Sequence, residues 1–318
     1  MRVNASLNKG PCKSYGGRSA FLKVLFLSTI LISLNSCITL KGLNLDYSDN
    51  RLTQGGLALA HLSGARGEDP ITGTFNGGET LIVKTDKGGA WAIVAADLES
   101  EPGRYHLIFK KGNKRISSAI RLVSGDFGTD RISLPADKVE FDEATLLRIE
   151  KERKIIEGVL GTSAKRRLWN KAFIMPLTGR ISGAFGQRRI LNGSPRSPHG
   201  GLDIAAPGGT PVLASGGGCV VFTGNFFFYG NLVVIDHGLG LFTLYAHLST
   251  INVKKGEAVK AGQVIGLVGA TGRATGPHLH FAIRLGRARL SPRAFIDLTA
   301  RLARLLAGDS IRGAGQAR

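Results

Sequence analysis

Five of the seven histidines lie between positions 199 and 280, where an even distribution along 318 residues would place about two. Two pairs in this region have spacings suited to metal binding. His199 is followed four residues later by Asp203, and one residue separates His278 from His280. Residues two or four apart on an extended strand project from the same face. Each pair can therefore present two metal-binding side chains to one site.

Two imidazoles and a carboxylate suit Zn(II), whose catalytic sites use three protein ligands and keep one position open. His199, Asp203 and one histidine of the second pair would complete such a set. The other histidine would then be available to act on water. The spacing alone does not decide whether His278 or His280 binds the metal.

A further histidine, His247, ends an alternating strand in the segment Tyr-Ala-His-Leu at 245–248. The tight turn before this strand, Asp-His-Gly-Leu-Gly at 236–240, can aim His247 into the same cleft. His237 lies inside that turn, and we expect it to maintain the local geometry of the turn. The alternative is that it binds the metal.

The order and spacing of these motifs, including Gly-Pro-His-Leu-His-Phe at 276–281, resemble the lysostaphin-type zinc metallopeptidases, peptidase family M23. The resemblance covers residues about 173–297. It implies one Zn(II) ion per chain, an antiparallel catalytic domain built on a duplicated hybrid motif, and hydrolysis of amide bonds in peptidoglycan peptide cross-links during cell-wall remodelling. The implied zinc ligands are His199, Asp203 and His280, and the implied catalytic residues are His247 and His278.

In this interpretation His278 accepts or steers the proton of the attacking water. His247 stabilises the developing oxyanion or protonates the leaving amine, and the two roles can be exchanged. Some members of the family have lost their ligands and act as non-catalytic activators of cell-wall amidases. An envelope-binding activator is therefore the alternative function, although the presence of all five residues favours an enzyme.

The remaining sequence predicts an all-β protein with a helical connector. Alternating apolar stretches separated by glycine-rich turns predict a small β-sandwich over residues 38–138, which resembles the immunoglobulin-like domain of Gram-negative members of the family. A helical repeat beginning after Asp142 predicts a connector over 139–172. The peptidase domain follows at 173–297, and a basic tail occupies 298–318.

The N-terminus has the features of an export signal. Five basic residues and no acid precede an eleven-residue apolar run, too short to span a bilayer, at 24–34. We predict a signal peptide over residues 1–37. It ends in a candidate lipobox at which Cys37 would be lipidated, and the alternative is ordinary cleavage without lipidation. The expected location is the periplasm or cell envelope.

The chain carries 42 basic and 23 acidic residues, a net charge of +19, which indicates an anionic partner. The expected partner is the peptide part of peptidoglycan, with membrane association through Cys37 or the basic surface. Because the export signal removes the chain from the cytoplasm, we do not expect nucleic acid as a partner.

Overall fold

The computed structural model describes residues 44–47, 50–63, 69–85, 88–132 and 141–307. The predicted signal peptide with Cys37 lies outside these ranges, as does the end of the predicted tail. Within them the chain forms strands, most of them paired antiparallel, and two helices. The predicted all-β class with a helical connector is thus confirmed. None of the helices described is long and apolar enough to cross a membrane.

The N-terminal part consists of short strands: β1 (Asn44–Tyr47), β2 (Arg51–Thr53), β3 (Leu57–Ser63), β4 (Ile71–Phe75), β5 (Gly78–Glu79), β6 (Leu81–Lys84), β7 (Ala90–Ala95), β8 (Gly103–Lys111), β9 (Lys114–Val123) and β10 (Thr129–Ile132). Two sheets, ordered β1-β3-β7-β6 and β2-β9-β8-β4-β5, enclose a common core. Along β8, Leu107 and Phe109 are buried there, whereas Arg104, His106 and Lys110 are exposed. The alternation expected for a two-layer sandwich is therefore present.

Helix α1 (Glu143–Leu160) begins at the residue that the sequence indicates. The carboxylate of Asp142 accepts a hydrogen bond from the backbone N–H of Thr145 at 2.8 Å, which caps the helix. The Glu152 carboxylate accepts the backbone N–H of Phe227 at 2.7 Å, so α1 contacts the C-terminal part of the chain.

The C-terminal part contains the remaining elements: β11 (Arg180–Gly183), β12 (Arg188–Leu191), β13 (Ser194–Arg196), β14 (Leu202–Ala205), β15 (Pro211–Leu213), β16 (Gly218–Phe226), β17 (Gly230–Gly238), β18 (Leu241–Ile251), β19 (Ala258–Val259), β20 (Val264–Val268), β21 (His278–Leu285), β22 (Ala288–Leu290) and helix α2 (Pro292–Ala307). The main sheet runs β11-β14-β21-β18-β17-β16-β19, with β15, β20 and β22 joined to its strands. Strand β12 pairs with β13 and, in parallel, with β10.

Helix α2 packs between the two parts. Its Phe295 and Leu302 are fully buried and share one core with Trp91 and Ile93 of β7. Ala92 and Val94, which alternate with them along the strand, lie in the sandwich core, so β7 is buried on both faces. Double-sided burial explains why β7 contains no polar residue. Helix α2 also runs across the boundary proposed between residues 297 and 298. The domain limits themselves stay predictions.

His237 on β17 is fully buried in a hydrogen-bond network. Its Nδ1 lies 2.7 Å from the carbonyl of Gly217, which can only accept, so Nδ1 carries the proton. Its Nε2 lies 2.7 Å from the hydroxyl of Thr243, which in turn contacts the hydroxyl of Tyr245 at 3.0 Å. The structural interpretation of His237 agrees with these contacts.

We expect His237 to make the protein acid-sensitive. Burial lowers the pKa of His237 from 6.5 to about 4. Its contribution to stability is therefore complete above pH 6.5 and is lost as the pH falls towards 4, because the unfolded chain takes up the proton first. The loss is on the order of 3 kcal/mol. The free energy of unfolding, measured by urea titration between pH 7.5 and 4, should depend less steeply on pH in His237→Asn. The difference in slope should correspond to about one proton. An equal slope in both proteins would contradict this assignment.

Candidate active site

The metal-binding candidates are brought together by the pairing of two strands. Asp203 of β14 lies directly opposite His280 of β21 in the antiparallel register, so both side chains leave the same face of the sheet. The Asp203 Oδ1 atom lies 2.7 Å from His280 Nδ1 and 3.0 Å from Nε2 of His199, just before β14. The two histidine nitrogens are 3.0 Å apart. Three donor atoms from distant parts of the sequence thus meet at one point.

The ring of His199 is oriented by the backbone. Its Nδ1 donates a hydrogen bond to the carbonyl of Ala184 at 2.9 Å, which leaves Nε2 as the atom with a free electron pair. The backbone N–H of His199 donates to the carbonyl of Gln187, and its carbonyl accepts the N–H of Gly186. A hydrogen bond on the other ring nitrogen is the usual device that fixes a metal-binding histidine.

Two glycines make room for these side chains. A β-carbon at Gly201 would lie 2.6 Å from the His280 ring, and one at Gly183 would lie 2.5 Å from the second carboxylate oxygen of Asp203. Both distances are shorter than atoms can approach. Glycine at 201 and 183 therefore permits the close approach of backbone and donors.

The donor set fits a divalent metal such as Zn(II). Burial opposes ionisation of Asp203, but its contacts with the His199 and His280 rings hold the pKa of this carboxyl far below its usual range. A tetrahedral site with bonds of about 2.0–2.2 Å needs donors about 3.3–3.5 Å apart. The donors observed at 2.7–3.0 Å would have to separate by less than about 1 Å.

A β-bulge aims His247 at this site. The pairing of β17 with β18 gains one residue between Tyr245 and Leu248, and His247 there adopts a left-handed conformation with φ of 63°. In a regular strand His247 would share the face of the buried Tyr245, opposite to His280. The bulge brings the centroid of its ring to 4.6 Å from the ring centroid of His278 and to 6.0 Å from that of His280.

The two additional histidines are held in the same way. His247 Nδ1 lies 2.8 Å from the carbonyl of Thr271, and His278 Nδ1 lies 2.8 Å from that of Gly276. Because a carbonyl can only accept, Nδ1 is the protonated nitrogen in both rings. Burial lowers the pKa of His247 to about 4, so its ring is neutral at pH 7. Both histidines therefore have an unprotonated Nε2 in the neutral state.

The structure adds one residue that the sequence interpretation missed. The ring of Tyr229, in the hairpin between β16 and β17, lies 6.1 Å from that of His280. The Tyr229 carbonyl also accepts the backbone N–H of His247 at 2.8 Å. The signal in the sequence is the aromatic run Phe226–Tyr229, four consecutive aromatic residues at a turn.

Comparison with known proteins places this geometry among peptidases. The family model for Peptidase family M23 matches residues 197–292, which include all five residues of the site. A crystal structure of a peptidase M23 protein from Pseudomonas aeruginosa has a TM-score of 0.61 and 32% sequence identity, and the match covers 77% of this chain and 94% of that one.

Two of the curated relatives match about a third of this chain. Peptidoglycan DD-endopeptidase ShyA of Vibrio cholerae is 54% identical over 105 residues, which are 33% of this chain and 24% of that protein. DD-carboxypeptidase/endopeptidase Mpg of Neisseria meningitidis is 48% identical over 113 residues, 36% of this chain and 26% of that protein. The matched segments thus span about a quarter of each relative. Because the solved relative is matched over almost its whole length and the family model contains the complete site, the chain belongs to peptidase family M23.

Proposed function

We propose that this chain is a zinc-dependent endopeptidase that hydrolyses amide bonds in the peptide cross-links of bacterial peptidoglycan. The observation that carries this proposal is the meeting of donor atoms from His199, Asp203 and His280, no two more than 3.0 Å apart, beside two further imidazoles. The relatives named above, a peptidoglycan DD-endopeptidase and a DD-carboxypeptidase/endopeptidase, support the choice of substrate.

In the proposed mechanism His199, Asp203 and His280 hold one Zn(II) ion. When bound, the ion supplies a Lewis acid that acidifies water and polarises an amide carbonyl. His278 accepts the proton of the attacking water at Nε2, since its Nδ1–H is committed to the Gly276 carbonyl. The resulting imidazolium then donates that proton to the leaving amine as the amide C–N bond breaks.

His247 takes a different part in this mechanism. Stabilising an oxyanion or protonating the amine would require an N–H at Nε2, but burial keeps the ring neutral and the one ring proton is bonded to Thr271. We therefore assign His247 as an acceptor that orients the attacking water through Nε2. We assign the proton transfer to His278 because its ring is half-buried, whereas the ring of His247 is buried and kept neutral.

The proposed substrate lies outside the cytoplasm, which agrees with the predicted export signal. We propose that residues 1–37 direct the chain to the periplasm. Cleavage before Cys37 would leave a lipid-anchored enzyme, and ordinary cleavage would leave a freely diffusing one. Metabolic labelling with a palmitate analogue, compared between the wild type and Cys37→Ser, distinguishes the two forms.

We expect a metal chelator to abolish cleavage of a defined cross-linked muropeptide. Residues 38–318 should convert the dimer into two monomers with the addition of one water, detected by mass spectrometry. Removal of the metal should lower the rate by at least about 10³-fold, since Lewis-acid catalysis contributes several kcal/mol, and added zinc should restore it. Binding to intact sacculi without cleavage would contradict the proposal and support the amidase activator instead. The product masses also identify the bond that is cut.

A further inference from the structure

A row of arginines crosses the outer face of the sheet that contains β2, β9 and β8. Arg51 of β2 pairs in register with Arg121 of β9, and Arg121 pairs with Arg104 of β8. Residues paired in register leave the same face of a sheet, with β-carbons about 4.5–5.5 Å apart on neighbouring strands. All three side chains are exposed. Three guanidinium groups therefore leave the sheet side by side.

This arrangement is electrostatically unfavourable by itself. Like charges directly opposite each other on neighbouring strands are destabilising. In the described part of the chain, no ion pair involves Arg104 or Arg121. A second cross-strand pair of like charges, Lys110 with Arg115, lies on the same face. An anion placed between the arginines would relieve this repulsion.

A groove of about 890 Å³ runs beside the row. Arg51, Arg104 and Arg121 line it, and the described residues around it include no acidic side chain. Gly103 and Ala119, which also line it, contribute no more than a hydrogen atom and a methyl group. The groove thus combines sufficient volume for a peptide-sized ligand with a positive lining.

The lining favours carboxylates as the ligand groups. A guanidinium group binds a carboxylate through two parallel hydrogen bonds, a geometry that a lysine cannot provide. Among the described residues that line the groove, none is an aromatic residue on which a nucleic acid base could stack. None of the large exposed apolar residues in the described ranges lies in it, so it lacks the groups that enter a lipid surface.

We propose that this groove is a second binding site for peptidoglycan, which holds carboxylate-bearing stem peptides and keeps the protein on the sacculus. The choice of peptidoglycan among carboxylate-bearing polymers rests on the proposed function. The stem peptide bound here is distinct from the cross-link cut at the metal site. Attachment to an insoluble substrate through this groove raises the local concentration of cross-links at the metal site.

The test is a sedimentation assay with purified sacculi on ice. The double variant Arg104→Ser/Arg121→Ser should bind at least about tenfold more weakly than the wild type, since each charge-assisted bidentate pair contributes strongly. The matched control Lys254→Ser/Lys255→Ser removes two exposed charges from the C-terminal part and should change binding less than about threefold. Amidation of the sacculus carboxylates should weaken wild-type binding to the level of the double variant. Thermal melting verifies that both variants are folded.

Equal sacculus binding by the double variant and the control would overturn the groove proposal. A tenfold loss on phosphatidylglycerol vesicles with unchanged sacculus binding would overturn it as well, and would indicate a lipid surface. Both variants should cleave a soluble cross-linked dimer at the wild-type rate, because neither pair touches the metal site. If no form of the protein cleaves the dimer, the proposed function fails, whereas the sacculus assay still decides whether the groove binds carboxylates.

Discussion

Asp203→Asn is expected to lose the bound metal and to cleave a cross-linked muropeptide at least about 10³-fold more slowly. The substitution keeps the size of the side chain but removes the negative charge that contacts both His199 and His280. Two neutral imidazoles and an amide bind Zn(II) far more weakly than a set that includes a carboxylate. A loss of several kcal/mol in transition-state stabilisation corresponds to this decrease in rate. Metal content by mass spectrometry and kcat/KM measured on the same preparations report the two effects.

Asp297→Asn is the matched control. Asp297 is an exposed residue of helix α2, so the same chemical change there should leave metal content and rate within about twofold of the wild type. Circular dichroism should show that the Asp203 variant retains its strands. If it keeps one zinc per chain and full activity, Asp203 is not a ligand.

The metal-binding candidates could be selected from the sequence because strand geometry has a fixed period. The offset of two between His278 and His280 places both on one face of β21, and the structure pairs that strand with Asp203. The sequence could not select which histidine of the pair joins Asp203, since register depends on pairing with a strand 77 residues away. The choice of His280 came from the family resemblance and agrees with the contacts.

The direction of His247 could not be predicted from periodicity. Alternation along β18 assigns it to the face of Tyr245, and only the bulge with its positive φ reverses this. A bulge depends on two strands having unequal numbers of residues between pairing points, which one strand's sequence does not show. The arginine row was missed for a related reason, because Arg51 and Arg121 are neighbours only through the β2–β9 register.

The sign in the sequence that the two parts pack together is a strand that does not alternate. A sandwich strand with one solvent-exposed face should alternate, yet β7 is apolar throughout. The second apolar face, at Trp91 and Ile93, belongs to the same core as Phe295 and Leu302 of α2, a helix that crosses the predicted boundary between domain and tail. A continuous apolar run in an otherwise alternating domain therefore indicates a contact with another part of the chain.

His278→Asn is expected to retain zinc and to lower kcat by about 10²–10⁴-fold, the range typical for loss of a general acid–base group. Asparagine can place its amide N–H where Nδ1–H of the histidine lies, so the hydrogen bond to the Gly276 carbonyl is kept. It has no group at the position of Nε2. The substitution therefore tests the proton acceptor separately from the local backbone geometry, with kcat, KM and zinc content as the measurements.

His247→Asn provides the internal comparison, since asparagine can likewise keep the bond to the Thr271 carbonyl. If His247 only orients water, its loss should lower kcat less than the loss of His278, because the ring of His247 does not carry the transferred proton. His106→Asn, on the exposed face of β8, should leave activity unchanged. A His278 variant with wild-type kcat and intact zinc would show that the proton leaves by another route. A larger loss in the His247 variant than in the His278 variant would instead exchange the two roles. That exchange would require the buried imidazole to carry charge, which its environment disfavours.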